Sequence, residues 1–106
     1  MPFRTNVAFE AELPARLAEG AAIAVTCQAA PVRQHKGYHG KWTVSVVLPS
    51  GETRQLVTQR TPNQPRIIKT LTGVATLLSD AGCQSLNIPF SEGVTGMNSI
   101  EAIASS

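Results

Sequence analysis

The stretch from His39 to Arg60 constrains the fold more than any other part of the chain. Lys41-Trp-Thr-Val-Ser-Val-Val-Leu48 alternates apolar with polar residues and is rich in β-branched types, the pattern of a half-buried strand. Pro49-Ser-Gly-Glu52 interrupts it, and Thr53-Arg-Gln-Leu-Val-Thr-Gln-Arg60 follows as a second strand-like run. Two such runs across a short turn predict a β-hairpin. Trp42, Val44, Val46 and Leu48 share one face by the two-residue period, which makes Trp42 a core residue. The register of the second strand stays open. A two-residue turn at Ser50-Gly51 sets Val57 opposite Val44. A different connection sets Leu56 there and turns Arg54 and Arg60 to the Trp42 side, because a one-residue slip reverses every side chain.

The flanking segments supply the rest of a small domain. Ile23, Val25 and Cys27 alternate with Ala22, Ala24 and Thr26, so 21–29 reads as a strand with one apolar and one small-residue face. Ala30 to Gly40 holds Pro31, two glycines and both histidines and reads as a long contact loop. Thr61 to Pro65 is a turn and Arg66 to Lys69 a short strand. Leu71, Val74, Ala75 and Leu78 recur three and four apart, which predicts a helix over 71–81 with Thr70 as N-cap and Gly82 as C-cap. Three turns are too short to stand alone, so the helix must bury that stripe on the sheet. Residues 83–90 read as a closing strand. The expected fold class is α+β: an antiparallel sheet of four to five strands with one helix packed across it. Residues 1–20 form an N-terminal arm, in which Asn6 to Glu10 reads as a short strand or as a segment docked through Phe3, Val7 and Phe9, and Glu10 to Leu17 is limited to a helical turn by Pro14. The sheet-plus-helix domain spans 21–90. The tail, 91–106, is flexible or weakly helical through Met97, Ile100 and Ile103.

Charge is unevenly placed. Between Arg33 and Lys69 lie seven bases and one acid, Glu52; elsewhere two bases face six acids. That is a basic footprint on a near-neutral chain in which charged residues make up only 15%. Lys36, Tyr38, Lys41, Arg54, Arg60, Arg66 and Lys69 are the candidate nucleic-acid contacts, with Tyr38 placed to stack on a base. Arg60, Arg66 and Lys69 should stay together around one turn whatever the strand register.

Other chemistry finds no pattern. Cys27, His35, His39 and Cys83 are metal-ligand types, but no C-x-x-C or H-E-x-x-H spacing joins them. G-x-S-x-G and a glycine-rich phosphate loop are lacking, so neither an enzyme nor a cofactor is expected. Met1 to Leu17, interrupted by Glu10, Glu12 and Pro14, is not expected to be a secretory leader. Two cysteines without a framework suit a cytoplasmic protein with free thiols.

Leu56-Val-Thr-Gln-Arg60, Pro65-Arg-Ile-Ile-Lys-Thr-Leu71 and Val74-Ala-Thr-Leu-Leu78 through Gly82 resemble small accessory proteins of bacterial plasmids, some of them partition-associated. The resemblance covers the central half of the chain and implies a role near DNA in plasmid maintenance or regulation. In element order the chain is also similar to PC4-like single-strand binders. The expectation is a non-enzymatic nucleic-acid-binding protein, with single-stranded DNA ahead of duplex because the helix at 71–81 carries no base. A homodimer is expected because a sheet face or edge is left open. The alternatives are a protein–protein adaptor or inhibitor, and a structural subunit without a ligand.

Overall fold

The turn around Ser50 settles the hairpin register. Val47 pairs with Thr53, Val46 with Arg54 and Ser45 with Gln55. Leu48 N–H donates to the Glu52 carbonyl and Gly51 N–H to that of Leu48, which leaves a three-residue loop. Gly51 closes it at φ +96°, a conformation that strains any side chain. The ladder continues to bring Leu56 beside Val44 and turns Arg54 toward the Trp42 face, the second of the two registers.

A computed structural model describes residues 7–35 and 37–100. Its elements are β1 (Val7–Phe9), a 3-10 turn (Glu10–Glu12), α1 (Leu13–Ala18), β2 (Ala22–Gln34), β3 (Gly37–Val47), β4 (Thr53–Val57), β5 (Ile68–Thr70), α2 (Leu71–Ala81) and β6 (Thr95–Asn98). The strand order is β1-β4-β3-β2-β6, and β5 shares the β4 edge of β3. The α+β class holds, with six strands among the described residues instead of four or five and a mixed sheet instead of an antiparallel one. β1 runs parallel to β4, with Val7 beside Gln55 and Phe9 beside Val57. The cause is a crossover. β1 and β2 run the same way, so α1 must carry the chain across the sheet between them.

Both helices cover the same face. Ile23, Val25, Trp42, Val44 and Val46 meet Leu13 and Leu17 of α1 and Val74, Leu77 and Leu78 of α2 in one buried cluster. Pro14 does not stop α1, because it lies in the first turn, where its missing N–H has no intrahelical partner to lose. Glu12 steadies that start, accepting from Phe9 N–H and from Arg16 Nε, both at 3.1 Å. At α2 the expected caps form: Thr70 Oγ1 accepts from Gly73 N–H at 3.0 Å, and Gly82 adopts φ +110°. Gly73 permits close packing, since a Cβ there would lie 2.9 Å from Ile68 Cγ2.

Three expectations change. Ala30 to Gly40 is not a loop: β2 and β3 continue as paired strands to Gln34 and Gly37. Register shifts after Cys27 and after Ala29 hide the alternation, and Gly40 allows the irregular strand to pass, since its Cβ would sit 2.8 Å from the Ala29 carbonyl. Residues 83–90 are not a strand. The segment is instead strapped over the core side by the Trp42 indole donating to the Pro89 carbonyl at 2.8 Å and by Asn87 bonding with Asn98. Met97 belongs to β6, not to a helix. Within the expected N-terminal arm, β1 takes the short-strand alternative and α1 the place of the helical turn. Residues 1–6, Lys36 and 101–106 lie outside the described residues.

Candidate functional site

The sheet's uncovered face is neutral over most of its area. Ala22, Ala24, Thr26, Thr43, Ser45 and Gln55 alternate with the core residues and carry no charge. Thr26 and Thr95 hydroxyls share a hydrogen bond at 2.8 Å, and Gln28 Nε2 donates to Thr43 Oγ1 at 2.9 Å. Charge gathers farther out, where the β2–β3 ribbon loses its cover. There Val32 pairs with His39, Arg33 with Tyr38 and Ala29 with Lys41.

β5 completes the ribbon's flank. Ile68 pairs with Trp42 and Thr70 with His39, which sets Lys69 on the opposite side from Ile68, the side that Lys41 also takes. Lys41 and Lys69 line one hollow of about 400 Å³ with Ala29, Ala30, Val32 and His39. Both lysines are exposed, neither forms an ion pair among the described residues, and no acid lines the hollow.

Tyr38 lies on the other flank. Its ring meets Phe90 edge-on with centroids 5.3 Å apart, and Phe90 lies 6.4 Å from Trp42. A hollow of about 410 Å³ beside it is lined by Arg33, His35, Leu71 and Thr72 among others. Tyr38 is therefore a partly packed residue with Phe90 against its ring.

The remaining bases disperse. Arg54 pairs with Glu52 at 3.3 Å. Arg66 pairs with Glu10, and its backbone N–H donates to the Leu56 carbonyl at 2.9 Å. Arg66 thus lines a hollow with Phe9 and Val57, while Lys69 lines the ribbon hollow, so the turn expected to hold Arg60, Arg66 and Lys69 together is divided. Arg60 is exposed on the β4–β5 connection. Of the seven candidates, the fold brings Lys41 and Lys69 together; Lys36 lies outside the described residues. Sequence reasoning missed Ala29, Ala30 and Val32 as the apolar wall and Glu10 as the partner of Arg66. The apolar Ile68, in phase with Trp42, was the one signal for the strand pairing that joins the lysines.

Cys27 and Cys83 are free and buried, and burial pushes both thiols up from their ordinary pKa. Among the described residues no three His, Cys, Asp or Glu side chains gather to hold a metal, and no helix is long and apolar enough to cross a membrane.

No family model, no curated protein and no solved structure matches the chain. The expected DNA-binding, single-stranded-DNA, plasmid and plasmid-partition character is therefore not supported, because no match carries any of it to this chain.

Proposed function

We propose that the chain is a non-enzymatic adaptor, working in a reducing compartment such as the cytoplasm, that holds an acidic, extended segment of a partner protein against the β2–β3 ribbon. The observation that carries this reading is the hollow where Lys41 and Lys69 meet Ala29, Ala30 and Val32. Two unpaired ammonium groups beside an apolar wall suit a peptide that alternates carboxylate and apolar side chains. Val32 is 58% exposed and stands ready to be covered. The bend of β2 and the proline at position 31 disfavour strand addition along the ribbon edge, so the segment lies across the face.

A nucleic-acid partner fits the same features less well. Its binding sets several bases along a backbone track. Here Arg54 and Arg66 are engaged by acids, which leaves fewer free bases to follow a backbone. The outline likeness to PC4-like binders is not carried into this reading either, since β1 adds a parallel strand and α1 a second helix. Two free buried thiols agree with a reducing compartment.

The test is fluorescence anisotropy with four labelled probes: an extended Glu/Val peptide, its Gln/Val counterpart, a single-stranded oligonucleotide and a duplex one. The reading expects the acidic peptide alone to bind. Salt-sensitive binding of an oligonucleotide in preference to the peptide would replace it with a nucleic-acid function.

A further inference from the structure

Among the described residues the sheet's open edges include β1, β5, the far part of β2 and β6, and the first three are blunted; β5 is three residues long and carries Lys69. β1 is three residues long and runs straight into the 3-10 turn. The outer edge of β2 past Cys27 carries Pro31, Arg33 and two register shifts. Short length, proline, charge and bulges are the devices that keep sheet edges from pairing. β6 is also short, but over Thr95–Asn98 it carries neither proline nor charge. Its sequence is Thr95-Gly-Met-Asn98, and its ladder to β2 is regular from Thr26–Thr95 to Ile23–Asn98. It is also flanked by exposed apolar side chains, Met97 at 49% and Val94 at 48%.

The hydrogen-bond phase says which groups this edge offers. Cys27 N–H donates to the Val94 carbonyl at 3.0 Å, so position 94 faces β2. Antiparallel alternation makes Gly96 and Asn98 the next to face β2 and leaves the N–H and C=O of Thr95 and Met97 pointing outward. From this we propose that two copies of the chain join β6 to β6, antiparallel about a two-fold axis through Gly96, into one continuous sheet. In that register Thr95 stands opposite the partner's Met97 and exchanges both backbone hydrogen bonds with it, and the symmetric pair does the same. The four outward groups of each strand are all satisfied.

Three further features agree with a second copy as the occupant. Thr95 and Met97 project to the uncovered face in both copies, so the two uncovered faces become one. The strand bears no charge, so a contact that sets like against like meets no repulsion. Gly96 falls at the axis in the closer, non-hydrogen-bonded pair, and its missing side chain is already required by the Asn87 carbonyl, which would lie 2.5 Å from a Cβ. The dimer stands independently of what the ribbon binds.

Sedimentation equilibrium of the whole chain at up to about 1 mM tests the assembly. The expected result is a dimer that Met97→Lys converts to monomer, while Val32→Lys on the equally accessible ribbon leaves it intact. The register is tested by mild oxidation of mixed chains. Chains bearing Thr95→Cys should cross-link to chains bearing Met97→Cys, whose Cα atoms would stand about 5.5 Å apart. Chains bearing Thr95→Cys alone should not, because their mates are offset beyond the roughly 7 Å that a disulfide spans. A monomer at every concentration, a dimer indifferent to Met97→Lys, or cross-linking of Thr95→Cys chains alone would overturn the proposal.

Discussion

Replacing Trp42 with phenylalanine tests the strap that joins the core to the ribbon. Trp42 is fully buried, and its indole N–H donates to the Pro89 carbonyl at 2.8 Å. Phenylalanine keeps an aromatic ring in place but removes the donor. The buried carbonyl of Pro89 then lacks its partner, a cost of about 1–3 kcal/mol. The lost second ring gives up buried apolar area and leaves a void, for about 1–2 kcal/mol more. Trp42→Phe should therefore lower unfolding stability by about 2–5 kcal/mol, read from urea melts followed by circular dichroism at matched m-values. Phe90→Ala is the comparison. Phe90 is exposed and meets Tyr38 edge-on and Trp42 at a tilt, so its loss should cost about 0.5–1.5 kcal/mol. A Trp42→Phe loss no larger than that of Phe90→Ala would refute the claim that the Trp42–Pro89 bond holds the 83–90 segment in place.

Gly40→Ala places a methyl 2.8 Å from the Ala29 carbonyl and 3.0 Å from Pro31 Cα, both backbone atoms, so a loss of about 1–3 kcal/mol with faster amide exchange along 28–41 is expected. Thr70→Ala removes the α2 cap and should cost about 1 kcal/mol in the same urea melts, whereas Thr70→Ser should cost little. Burial raises the Cys27 and Cys83 pKa values, so the unfolded chain ionises these thiols first as pH rises. Stability should be level below about pH 8.5 and fall above it, and a double Cys→Ala variant should lose that fall. Neither thiol should react with Ellman's reagent until the chain unfolds.

Local patterns were legible where one residue type decides the geometry. The α2 stripe, Thr70 and Gly82 marked a helix from end to end, whereas the hairpin register stayed open until the loop closed by Gly51 at φ +96° was seen. The ribbon was not legible, because the two register shifts in β2 break the alternation that a strand would show, and Pro31 and Gly40 read as loop residues. Residues 83–90 misled in the opposite direction. Leu86 and Ile88 alternate as in a strand, yet the backbone partner at Asn87 is the Asn98 side chain. Pro14 discouraged a helix that it can begin.

The site was half legible for a related reason. Clustering along the sequence announced a basic surface, but partners distant in sequence redistributed it. Glu10 claims Arg66 from 56 residues away, and the β3–β5 pairing delivers Lys69 to Lys41. The neutral face of β2 was visible from Ala22, Ala24 and Thr26, and it does remain uncovered among the described residues. The parallel placement of β1 had no signal in the sequence, since three residues with no turn motif do not declare their neighbour.

In the proposed function Lys41 and Lys69 act together on an acidic partner. The most direct measurement is the anisotropy titration of the Glu/Val peptide against the unaltered chain, Lys41→Glu with Lys69→Glu, and Arg54→Glu with Arg66→Glu. The first pair should lose at least tenfold in affinity, about 1.4 kcal/mol, and the second should change little, because its bases already face Glu52 and Glu10. Equal losses from both pairs, or binding that ignores the lysine reversal, would contradict that function.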